Sequence, residues 1–128
     1  MELQEKLRAL EQTVTELASK EEFIHHKWYV NHHLKIFECL AHELCDFYPQ
    51  ADRAMVVAMV WLHDLGKILT SKKLPRDQEV ELTLSEGHAL LAKCGFPRTF
   101  IDKATHNLEI FEQSLERDLS KENIDVRI

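Results

Sequence analysis

The sequence predicts an all-α fold, a single-domain bundle of about five to six helices. Glycine and proline, which punctuate strands and turns, occur only three times each in 128 residues, while the strong helix formers Ala, Leu, Glu and Lys are plentiful. Apolar residues recur at spacings of three and four rather than two. The segment from Ala54 to Leu62 is apolar at every position, and a helix that is hydrophobic all round belongs at the centre of a helical fold. A mass of 15.0 kDa suits one domain with one core. The chain reads as one domain over 1–128: an amphipathic helix over 1–18, a core over 20–110, and the start of a C-terminal helical segment over 111–128.

Leu3, Leu7, Leu10, Val14 and Leu17 make one apolar stripe on the first helix. Packing on its own domain is the first reading of that stripe, and a homodimer contact is the alternative. Ser19 and Glu22 have capping-box spacing, which predicts a second helix from Lys20 to Phe47. Val30, His33, Phe37, Leu40 and Leu44 form its apolar face, and Pro49 ends it. The third helix runs from after Pro49 to Asp64, with Gly66 placed to stop it. The polar stretch Thr70 to Glu79, with Pro75, reads as an exposed loop. Thr83 and Glu86 repeat the capping-box spacing and predict a fourth helix closed by Gly95. Pro97 starts a fifth through Phe100, Ile101, Ala104 and Leu108. The segment from Ser114 is charged, and Ile124 to Ile128 looks like the start of a further helix.

Sixteen Lys and Arg against 22 Asp and Glu give a net charge of −6. Nothing in that balance grips a phosphate backbone, so nucleic acid is not an expected partner. A phosphorylated ligand is still compatible, because a bound cation reverses the sign locally. Cys39, Cys45 and Cys94 form no paired motif and are odd in number, which suits free thiols in a reducing compartment. Glu2, Glu5 and Lys6 interrupt any signal-like apolar run, and Ala54–Leu62 is too short to span a bilayer. A cytoplasmic protein without a membrane partner is the expectation.

The candidate site is the adjacent pair His63-Asp64, set directly after the most apolar segment. A buried carboxylate and imidazole are costly unless paired, hydrogen-bonded or bound to a metal. A neutral imidazole nitrogen and an ionised carboxylate oxygen are both good ligands. Adjacent residues on a regular helix point about 100° apart, so convergence on one ion needs a helix end. A bare His-Asp pair can also simply cap a helix terminus.

The full string Val60-Trp61-Leu62-His63-Asp64-Leu65-Gly66-Lys67 resembles the signature of the HD superfamily of metal-dependent phosphohydrolases. The likeness extends over about residues 23 to 110. It implies an HD-type helical bundle and a divalent metal ion (Fe, Mn, Ni, Zn or Mg) held by His63, Asp64 and a histidine of the preceding helix. His33 is chosen for that role because it lies on the stripe with Phe37 and Leu44; His32 is the alternative. His106 and His88 are further candidate ligands, against the plainer readings of surface histidines. In the implied chemistry, metal-activated water hydrolyses a phosphate mono- or diester of a nucleotide or similar small molecule. Asp64 or His106 handles protons, and Lys67 offsets phosphoryl charge, unless it is only a solvated lysine. The family's late aspartate ligand has no clear counterpart among Asp102, Asp118 and Asp125, Asp125 being the weak candidate. The sequence is then either a piece of a longer protein or completes its site differently. A catalytically degenerate module binding a nucleotide or partner protein is the alternative function, and a structural helical adaptor a third.

Overall fold

The computed structural model describes residues 2–70, 74–112 and 124–127. These form an all-α, single-domain bundle with no strand among them. The helices are α1 (Leu3–Ala18), α2 (Lys35–Phe47), α3 (Arg53–Leu62), α4 (Leu65–Leu69), α5 (Arg76–Lys93), α6 (Arg98–Glu112) and the short α7 (Ile124–Arg127), with a π-helical turn, Val30–Leu34, leading into α2. The charged segment from Ser114, with Asp118, lies outside the described residues. No described helix is long and apolar enough to cross a membrane.

α3 is the axis of the bundle and packs against α1, α2, α6 and α7. Ala54, Met55, Val56, Val57, Ala58, Met59, Trp61 and Leu62 are all buried, as a helix apolar on every face requires. Asp52 caps its start, Oδ1 accepting from the Met55 N–H at 3.2 Å. α1 buries Leu7, Leu10, Val14 and Ala18 in the same core. Most of the stripe read from the sequence therefore packs on its own domain, with Leu17 partly buried against the same core and Leu3 43% exposed.

The second helix begins later than its capping box predicts. Ser19 closes α1, its N–H bonding the Thr15 carbonyl at 3.0 Å, and residues 20–28 are turns. Phe23 and Tyr29 are both buried at 4% exposure and meet edge to face, ring centroids 5.1 Å apart. Residues six apart on a continuous helix point about 120° apart, so one helix would turn the two rings to different faces. The gain from burying two aromatics, roughly 1.5–3 kcal/mol each, outweighs a capping box.

The expected buried face of α2 is also rotated. Ala41 and Cys45 face the core and pack with Val56 of α3, whereas Phe37, Leu40 and Leu44 are 42, 47 and 37% exposed. Small side chains allow close approach to the central helix; larger ones on that arc would hold it away.

Gly66 does not stop α3, which ends at Leu62; it lies inside α4. Its N–H donates to Thr83 Oγ1 at 2.9 Å. A Cβ here would collide with the Glu79 carbonyl oxygen and come within 2.7 Å of Thr83 Oγ1. Glycine is present so that α4 can lie directly on α5. That contact explains why Thr83 opens no helix: it sits within α5, which starts at Arg76, and its hydroxyl donates to the Glu79 carbonyl at 3.0 Å. Gly95 does close α5, with φ 89, its N–H bonding Ala92 and that of Phe96 bonding Leu91, both at 3.1 Å. That is the paired bond pattern of a left-handed helix terminus.

Candidate metal centre

The chain bends at His63-Asp64 itself. The His63 N–H still bonds the Met59 carbonyl at 3.0 Å, but Asp64 leaves helical geometry (φ −113, ψ 20) and stands at the head of α4, where its side chain makes no capping bond. A carboxylate free to satisfy helix N–H groups is instead turned aside. Its Oδ2 lies 3.1 Å from His63 Nε2 and 3.4 Å from His33 Nε2, and the two imidazole Nε2 atoms are 3.3 Å apart.

These three edges define a nearly equilateral triangle of two nitrogens and one oxygen. Ligand bonds of about 2.1 Å around one cation give ligand-to-ligand edges of roughly 3.0 Å in octahedral and 3.4 Å in tetrahedral geometry. The triangle therefore has the dimensions of one face of a coordination polyhedron. Among the described residues, it is the group of three or more His, Cys, Asp or Glu side chains that could hold a metal ion.

Neighbouring groups orient each member. His63 Nδ1 faces the Val60 carbonyl at 2.5 Å, which places the proton on Nδ1 and leaves Nε2 as the ligand atom. The Tyr29 hydroxyl donates to Asp64 Oδ2 at 2.9 Å. Tyr29 is four residues before His33, with ring centroids 4.9 Å apart. His33 lies in the π-helical turn, a local widening that recurs at functional sites. His32, the alternative first ligand, is exposed.

The electrostatics are those of a coupled cluster. Burial acts to raise the Asp64 carboxyl, but the bonds and charges of His63, the Tyr29 hydroxyl and Lys67 hold it well below the usual carboxylate range. Burial, then the charge of His63, lowers His33 against the pull of Asp64. For His63, burial is outweighed by Asp64, the Val60 carbonyl and Glu112, so it is raised. The Tyr29 hydroxyl is pushed up by burial and by Asp64, which keeps it a donor.

Lys67 is exposed, 4.0 Å from Glu79, and its charge acts on both Asp64 and His33. His88 and His106 do not join the triangle. His88 Nε2 is instead 3.9 Å from Asp102. His106 is exposed, and its six-residue separation from Glu112 turns it about 120° away around α6. The proton-handling role considered for His106 has no geometric basis. Asp125 is remote as well. It is buried, accepts from the Asp52 N–H at 2.7 Å and pairs with Lys103 at 3.0 Å. That is the opposite end of α3, about 15 Å of helix from His63.

Two neighbours of the cluster carried no motif. Tyr29 was detectable in principle, since the four-residue step to His33 puts both on one helical face. Glu112 was not, because only the packing of α6 brings it to His63 and Asp64. Its carboxyl is raised by burial and by the charges of Asp64 and Glu79, against the Arg76 guanidinium, with which it pairs at 2.8 Å. Phe37 and Phe111 flank the same cluster, their rings 6.0 and 6.3 Å from that of His63. Comparison with protein-family models, with curated proteins and with solved structures finds no match for this chain.

Proposed function

We propose that this protein is a metal-dependent phosphohydrolase of the HD type, cleaving a phosphate mono- or diester of a nucleotide or similar small molecule. The observation that carries this reading is the triangle of His33 Nε2, His63 Nε2 and Asp64 Oδ2, with edges of 3.1 to 3.4 Å. Two neutral imidazoles and one carboxylate suit a divalent ion such as Fe, Mn, Ni or Zn, with Mg favoured less by nitrogen ligands. Such an ion, when bound, supplies Lewis acidity and a nucleophilic water at neutral pH.

The chain's own groups would do the rest. Tyr29 holds Asp64 in place from behind, and the Val60 carbonyl sets the His63 tautomer. Lys67 can swing from Glu79 to meet a phosphate oxygen, since an exposed pair at 4.0 Å holds it weakly. Glu112, released from Arg76, offers a carboxylate for a proton or for the ion. The half-exposed face of Phe111 offers stacking surface to an aromatic base.

The test is metal analysis of purified protein, beside turnover of p-nitrophenyl phosphate and bis-p-nitrophenyl phosphate with added Mn²⁺. Wild type is expected to carry close to one transition metal per chain, and His63→Ala to lose both metal and turnover. Unchanged metal content in His63→Ala refutes the site. Tight metal with no turnover of any phosphoester would instead assign a binding module.

A further inference from the structure

The apolar residues of α2 fall in two adjoining arcs. Ala41 and Cys45 face the core. Ile36, Phe37, Leu40, Leu44 and Phe47 occupy a neighbouring arc about 100° wide that no described element covers. They are 48, 42, 47, 37 and 81% exposed, and Tyr48 at the helix end adds 44%. Taking ~200 Å² for a fully exposed large side chain, these fractions amount to on the order of 600 Å². That is at the upper end of the largest apolar patch on an ordinary monomer. Phe37, Leu40, Leu44 and Phe47 alternate steps of three and four, the repeat of a helix-to-helix seam.

We propose that this face binds the same face of a second copy, with the two α2 helices antiparallel about a two-fold axis near Leu40. Phe37 then packs against Leu44 of the other copy, and Leu40 against Leu40. Area and self-complementarity both select this occupant. Two such faces bury about 1,200 Å², the lower bound of a stable specific interface. A seam with this repeat packs on another of the same repeat, which makes the contact isologous. Antiparallel pairing opposes the helix dipoles favourably. Because Phe37 lies beside His63, the second copy also lies next to the candidate metal centre. The dimer does not depend on metal being bound there.

Sedimentation equilibrium of the full chain tests this. The expected mass at micromolar concentration is twice 15.0 kDa. Leu40→Glu puts two carboxylates at the two-fold axis and is expected to give a monomer with an unchanged far-UV circular dichroism spectrum. In a Cys39→Ser background, Leu40→Cys should form an interchain disulfide on oxidation, a readout that tolerates loss of folding in the charged variant. A wild-type chain that is monomeric at the highest concentration, a dimer that survives Leu40→Glu, or no crosslink through Leu40→Cys each overturns the assignment.

Discussion

Gly66→Ala is the perturbation that best separates local propensity from tertiary packing. In isolation the change favours the folded chain, because alanine exceeds glycine in helix propensity by up to about 1 kcal/mol and Gly66 lies inside α4. The added Cβ meets two atoms of α5, the Glu79 carbonyl oxygen and Thr83 Oγ1, the latter at 2.7 Å, with the Glu79 carbonyl carbon at 3.2 Å. The Glu79 contact is backbone in the first turns of α5 and cannot rotate away, so α4 must move. Overpacking of this kind costs about 1–3 kcal/mol. Separating the Gly66 N–H from Thr83 Oγ1 removes a hydrogen bond worth about 1 kcal/mol. The net expectation is a loss of about 2 kcal/mol, read as a urea midpoint lowered by about 1 M at an ordinary slope for this size. The displacement reaches the site, because α4 starts at Leu65, next to Asp64. Metal affinity, measured by competition with a chromophoric chelator, should fall by about tenfold, as for loss of a supporting contact. An equal or higher urea midpoint in Gly66→Ala would refute the role assigned to close packing.

Four further outcomes are expected. Tyr29→Phe removes the hydroxyl donated to Asp64 and should weaken metal binding by about 10- to 100-fold while leaving the fold intact by circular dichroism. Asp125→Asn should destabilise the protein by about 2 kcal/mol in urea, since a buried carboxylate loses its pairing with Lys103 and part of its bond to the Asp52 N–H; metal content should not change. His88→Ala and His106→Ala should both retain full metal content, and loss of metal in either would place a ligand the geometry does not contain. Glu11 is pushed up to about 7 by burial and then by its hydrogen bond to Glu38. The folded state keeps this proton where the unfolded chain, titrating near 4.5, has lost it. Stability should therefore fall as pH rises through that window, by on the order of 1 kcal/mol after allowing for partial exposure. Glu11→Gln should flatten the slope in urea titrations run on either side of it.

Much of the architecture was legible in local signals. The all-helical class followed from composition and from apolar spacing, since a 3.6-residue period is a property of consecutive residues. α3 was recognisable as the central helix because apolar residues on every face leave no other place for it. Gly95 and Pro97 marked a helix end and a helix start through their own backbone preferences. His63 and Asp64 stood out because two polar residues follow an apolar run.

Tertiary structure decided what depends on which surfaces meet. The Ser19 and Thr83 capping boxes were overridden, one by the burial of Phe23 and Tyr29 together and the other by the seating of Thr83 under Gly66. α2 turned its small residues inward, and a periodicity plot cannot see that the central helix accepts Ala41 and Cys45 more closely than Phe37 and Leu44. Convergence of His33 with His63 and Asp64 required the bend between α3 and α4 and the π-helical turn, and the approach of Glu112 required α6 to fold back along α5. Spacing along a chain determines which residues share a face of one helix. Which face is buried, and which side chains from separate helices come within bonding distance, is set by packing among all the helices at once.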